Sequence, residues 1–197
     1  MARAGTALSS TEHARLDLRQ AKVLLTDDNK ASSSIISQVL VGFGIRLKSQ
    51  CGSAAEAREI LNVEVFDLIL LDGEMPGEDG FELAQYIRSD PESPNFTAPI
   101  LIFSGYTPRT KVLRARDAGA NLVVTKPIVP RILLERIEWM ARTTRDFVEC
   151  PSYSGPDRRY QNRPLPEGVS ERRGDTLRLL AAPERSLSQD DIDSLFD

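Results

Sequence analysis

Four apolar runs of this sequence each stop on a reactive side chain. Lys22–Thr26 ends on Asp27-Asp28, 68–71 on Asp72, 100–103 on Ser104, and Leu122–Thr125 on Lys126. Three carboxylates crowded together repel one another and hold protons more tightly unless a cation neutralises them. Carboxylate oxygens suit Mg²⁺, a hard ion that keeps waters and accepts a phosphoryl oxygen. A hydroxyl and an ammonium suit the remaining phosphoryl oxygens. The set makes Asp72 a carboxylate nucleophile that accepts a phosphoryl group as an acyl phosphate. The cation and Lys126 would stabilise the charge on the transferring group.

For these groups to meet, their runs must lie side by side and point the same way. The run ending on Asp72 is apolar at every position from Leu68 to Leu71, as in a strand buried on both faces of a parallel sheet. A second strand is expected over 45–50, where the residues alternate. Between the strands lie helical patterns. Ile35, Ile36, Val39, Leu40 and Phe43 form one apolar stripe, and Ser53 with Glu56 reads as a capping box for a helix to Leu61. Helices are also expected over 80–88 and 108–118, and a last one lined by Val129, Ile132, Leu133, Ile137 and Met140. Five strand–helix alternations predict an α/β fold with a doubly wound five-stranded parallel sheet. Such sheets build their sites at the carboxyl edge, where the four reactive ends would gather.

Composition narrows the functional classes. The 197 residues are 41% hydrophobic and 27% charged, with a net charge of −4. That allows one domain with appendages and gives no global reason to bind DNA or a membrane. No apolar run is long enough to span a bilayer, and residues 1–20 lack the apolar stretch of a signal peptide. The single histidine and two distant cysteines argue against histidine metal sites, Ser/His or Cys/His catalysis and a structural disulfide. The expected layout is a flexible arm over 1–20, with a short helix over 11–20; a domain over 21–145; an arginine-rich tail over 146–185, largely unstructured; and a short amphipathic helix over 186–197.

The tail repeats one theme. Gly155-Pro156-Asp157-Arg158-Arg159-Tyr160 and Gly168-Val169-Ser170-Glu171-Arg172-Arg173-Gly174 each set an acid directly before two arginines. Arginine binds guanine O6 and N7 as a fork. A neighbouring carboxylate can accept from guanine N1–H and N2–H₂, and the spare arginine can stack on the base or hold phosphate. Two such units suit cyclic di-GMP, with its two guanines and two phosphates. The same letters also fit a solvated basic linker, or an RNA-binding tail, although the interleaved acids would weaken the latter.

Residues 20–145 resemble the receiver domain of two-component response regulators, the CheY type. The likeness rests on Asp27-Asp28, on Asp72 with Met75-Pro76, on Ser104 with Gly105, and on Lys126-Pro127. It implies a flavodoxin-like receiver fold with Asp72 as phosphoacceptor, assisted by Ser104 and Lys126. It also implies Mg²⁺ on Asp27, Asp28, Asp72 and the backbone of Glu74. A sensor histidine kinase would be the phosphodonor, and the chain itself would be no enzyme. One departure is Val123, three residues before the lysine, where such receivers usually carry Tyr or Phe. The usual output switch is therefore in question, and phosphorylation is expected not to be the main input.

The tail resembles that of the Cle proteins, CheY-like receivers with an arginine-rich extension. That resemblance implies that cyclic di-GMP orders the tail and sends the protein to the flagellar motor switch, so that a cytoplasmic chain is recruited to the flagellar base. Asp157, Arg158, Arg159, Arg172 and Arg173 match the motif; Tyr153, Tyr160, Arg163, Glu171 and Arg178 are secondary candidates. The runner-up is a plain phosphorylation-controlled receiver. At the end, Ser188 is an N-cap before Asp190 and Asp191, and Ile192, Leu195 and Phe196 form a small apolar stripe. This segment resembles the N-terminal peptide of the switch protein FliM, which CheY-type receivers bind. The sequence leaves open whether it docks on its own chain, on another copy or on a separate receiver.

Overall fold

A computed structural model describes residues 17–143, 146–150, 153–157 and 186–196. Five strands form one parallel sheet: β1 (Lys22–Thr26), β2 (Leu47–Cys51), β3 (Leu68–Asp72), β4 (Ile100–Ser104) and β5 (Leu122–Thr125), in the order β2-β1-β3-β4-β5. Five helices connect and cover them: α1 (Lys30–Gly42), α2 (Ala54–Leu61), α3 (Gly80–Ile87), α4 (Arg109–Asp117) and α5 (Pro130–Arg142). This is the doubly wound α/β fold expected from the sequence. The central strands β3 and β4 are buried at every position, whereas edge strand β2 is buried only at Cys51. The order reverses between β1 and β3, so the acids at their ends face one crevice.

Local chemistry differs from the sequence reading in places. Ser53 caps α2 by accepting from the Glu56 N–H, but the Glu56 carboxylate accepts from Gly52 rather than from Ser53. The reciprocal capping box lies instead at Asp79 and Glu82, at the start of α3. Val129 is the N-cap of α5 and stands 51% exposed, so Leu133 and Ile137, not Val129, carry that helix into the core. Residues 17–20 are a loop ending in a turn; the rest of the helix expected over 11–20 falls outside the described residues.

Part of the tail expected to be unstructured is an antiparallel hairpin, β6 (Phe147–Cys150) with β7 (Tyr153–Pro156). It packs beneath the amino edge of the sheet. The Phe147 ring lies 4.8 Å from that of Phe96 and beneath the Arg88 guanidinium, 5.3 Å away. Arg88 is buried and donates to the carbonyls of Phe96, Ala98 (2.7 Å) and Gly119 (3.2 Å), which cap the approaches to β4 and β5. Burial lowers its pKa to about 10, so it stays cationic at neutral pH. Gly119 adopts φ +83°, and a Cβ there would stand 2.7 Å from the Ser154 carbonyl oxygen. A side chain at this position would push the hairpin off.

The final segment returns to the sheet. Ser188 caps a short helix, α6 (Gln189–Asp193), with Asp191 completing a capping box. Ile192 and Phe196 are buried in the main core, with Leu187 and Leu195 partly so. The segment docks on its own chain, along the free edge of β5.

Candidate functional site

The crevice at the carboxyl ends of β1, β3 and β5 brings together the residues singled out by the sequence. Asp27 and Asp72 are each 3% exposed, and Asp28 is open to solvent. Each of the three acids offers an oxygen within 4.8 Å of the others. Lys126 Nζ lies 2.6 Å from Asp72 Oδ2 and 3.6 Å from Asp27 Oδ2.

Local turns hold the acids in place. Asp27 accepts from the Asn29 N–H (2.9 Å) and from the hydroxyl of Ser32 (2.5 Å) in the first turn of α1. Asp72 Oδ1 accepts from the Glu74 N–H at 3.1 Å. Gly80 packs so closely that a Cβ there would meet the Asp72 carbonyl oxygen at 2.2 Å. The amino end of α3 thus sits directly on the backbone of the reactive acid. Ser32 was missed by the sequence reading, although a hydroxyl five residues after Asp27 would fall on the side of α1 that faces β1.

Burial raises the pKa of Asp72, and the Asp27 charge adds to the rise. The hydrogen bond from Lys126, the Glu74 N–H and the Lys126 charge oppose it. One ammonium among three carboxylates leaves the crevice rich in anionic oxygen, a donor set that suits a hard divalent ion such as Mg²⁺. Ser104 is buried and at the same edge, but its hydroxyl donates to the Tyr106 carbonyl at 2.9 Å. Lys111 of α4 pairs with Glu74 at 2.6 Å beside the crevice.

A carboxylate at the end of β3, two acids at the end of β1, a hydroxyl on β4 and a lysine on β5 form one site. The family model for the response regulator receiver domain matches residues 23–138, and every one of these groups falls inside that span. The chain belongs to the response regulator receiver family. As such it is a phospho-accepting CheY-like receiver, and receivers typically bind Mg²⁺ at the acidic pocket.

Its relatives agree in extent. The chemotaxis protein CheY of Pseudomonas aeruginosa is 29% identical over 117 residues, covering 59% of this chain and 93% of that protein. CheY-3 of Vibrio cholerae is 27% identical over 120 residues, covering 61% and 91%. Among solved structures, CheY4 of Vibrio cholerae matches with a TM-score of 0.56 at 29% identity, over 60% of this chain and 96% of that one. A putative response regulator from Chloroflexus aurantiacus matches with a TM-score of 0.57 at 28% identity, over 62% and 98%.

Val123 of the receiver is buried in β5. Its carbonyl and the Thr125 N–H point out of the free edge of the sheet, and the Gln189 side chain bonds both. Gln189 Nε2 donates to Val123 O at 3.0 Å, and its Oε1 accepts from Thr125 N at 3.0 Å. One side-chain amide replaces a rung of a β-ladder.

The candidate ligand residues of the tail divide. Asp157 ends the hairpin, and its N–H donates to the Asp146 carbonyl at 2.7 Å, at the edge of the sheet opposite the acids. Tyr153 is half-buried and donates its hydroxyl to the Pro156 carbonyl at 2.7 Å, within the hairpin. Arg158, Arg159, Tyr160, Arg163, Glu171, Arg172, Arg173 and Arg178 lie outside the described residues. Among the described residues no helix is long and apolar enough to cross a membrane.

Proposed function

We propose that this chain is a CheY-like signalling adaptor with two inputs, a phosphoryl group on Asp72 and cyclic di-GMP on the arginine-rich tail. Its output is the flagellar motor switch. The observation that carries the first input is the meeting of Asp27, Asp28, Asp72 and Lys126 in one crevice. A carboxylate oxygen of Asp72 attacks the phosphorus of a phosphohistidine on a sensor histidine kinase. The new P–O bond forms as the P–N bond breaks, and the imidazole nitrogen leaves with the electron pair. Lys126 stays within reach of the incoming oxygens. The Ser104 hydroxyl exchanges the Tyr106 carbonyl for a phosphoryl oxygen. Asp27, Asp28, Asp72 and the backbone carbonyl of Glu74 would hold Mg²⁺, which neutralises the transferred charge. The chain accepts a group and passes on a signal, and is not itself an enzyme.

The second input is supported by the repeated acid–arginine–arginine units at 157–159 and 171–173. Guanine offers the edges that these groups recognise. The motor switch as target is supported by relatives that are named chemotaxis proteins. The adaptor would work in the cytoplasm and gather at the flagellar base.

Calorimetric titration of the full-length protein with cyclic di-GMP tests this reading. Saturable binding that is lost in an Arg158→Ala/Arg159→Ala variant, and weakened in Asp157→Ala, is the expected result. Absence of binding would leave the plain phosphorylation-controlled receiver, the reading that the complete acid–lysine crevice favours by itself.

A further inference from the structure

Residues 186–196 grip the two segments that carry the phosphoryl-binding side chains. One is the loop after β4, which follows directly on Ser104. There the Leu187 N–H donates to the Thr107 carbonyl at 2.8 Å, the Thr107 hydroxyl donates to the Leu187 carbonyl at 3.2 Å, and Ser186 bridges to Pro108. The other is the end of β5, directly before Lys126. There Gln189 bonds Thr125, the residue directly before the lysine, at its N–H and at its hydroxyl. Asp193 pairs with Arg136 of α5, and Ile192 and Phe196 fill the space beneath.

In this closed arrangement the Ser104 hydroxyl is committed to the Tyr106 carbonyl, one residue before Thr107. A phosphoryl group on Asp72 would call that hydroxyl away and shift the backbone to which the segment is bound. Two ligands that bias one structural element in opposite directions weaken each other by the same factor.

We propose that residues 186–196 are an intramolecular latch governed by the phosphoryl site. Closed, the latch covers the free edge of β5 and keeps Ser104 turned to its own loop. Phosphorylation of Asp72 opens it and uncovers that edge together with the sites of Ile192 and Phe196. The proposal rests on Asp72 being the acceptor.

The test uses full-length protein with acetyl phosphate and Mg²⁺. The phosphoryl group passes from the acetyl oxygen to an Asp72 oxygen, and acetate leaves. Mass spectrometry reads the phosphorylated fraction, and hydrogen exchange reads the amides of Leu187 and Ile192. Phosphorylation should speed exchange at both amides by about fivefold or more. Because the closed latch keeps the Ser104 hydroxyl on the Tyr106 carbonyl and away from the incoming group, Gln189→Ala and Ile192→Asp should each raise the phosphorylation rate, with the receiver's thermal unfolding still cooperative. Ready phosphorylation with unchanged exchange, and variants that react no faster than the parent, would overturn the latch alone. No modification of Asp72 in the parent or in either variant would overturn the acceptor assignment, and the latch with it.

Discussion

Asp72 is a carboxylate kept partly out of water for its chemistry, and that has a cost in stability. Its folded-state pKa is raised chiefly by burial. The folded protein therefore holds this proton more tightly than the unfolded chain does. Stability from the group is present below the unfolded pKa and is lost as pH rises through the folded value. Asp72→Asn should accordingly raise the melting temperature of the Mg²⁺-free protein at pH 7. The gain should shrink toward pH 3, where both states of the parent are protonated. Thermal melts with chelator at the two pH values check this, and an equal gain at both would refute it. Gly80 makes a second residue-scale case. Gly80→Ala places a Cβ against the Asp72 carbonyl, so α3 or the end of β3 must shift. Such overpacking costs about 1–3 kcal/mol, and chemical denaturation should show it together with slower phosphorylation.

At the scale of elements, what the sequence reveals depends on where the energy comes from. Strands β3 and β4 are legible because every side chain is buried, so the apolar run is its own signal. The acids, Ser104 and Lys126 are legible because they stop those runs. The capping box of α3 was equally readable at Asp79 and Glu82, but Glu56 offered a similar spacing and its carboxylate found Gly52 instead. The hairpin was hidden. Tyr-Ser-Gly-Pro has no strand pattern, and its order comes from tertiary partners, Arg88, Phe96 and Gly119, remote in sequence. Phe147→Ala removes the ring shared by Phe96 and Arg88 and should cost about 1–2 kcal/mol. Amides of 147–150 and 153–155 should lose exchange protection before those of the sheet do. Arg88→Ala should cost more, about 2–4 kcal/mol, since its removal leaves three carbonyls without their donor. The apolar stripe of the last segment was legible too. Its address was not, because a Gln reading β5 as a strand would depends on geometry that no spacing rule encodes.

At the scale of the whole molecule, the receiver holds its tail at two places on different edges of one sheet. Asp157 is fixed beneath the amino edge by the hairpin, and Ser186 beside Pro108 by the bridge. Residues 158–185, which carry most of the proposed cyclic di-GMP contacts, connect these anchors. Both ends of that segment are tied, so seating of the last helix is a first-order event within one molecule. Tethering of this kind sustains an effective concentration on the order of 1 mM, whatever the protein's abundance. A single cut within 158–185 would make the event second-order. At micromolar concentration the released fragment should then drift away from an otherwise folded receiver, and native mass spectrometry of nicked protein would show the loss. A site that resists dilution while the chain is whole would become, after one cleavage, a site open to any competitor.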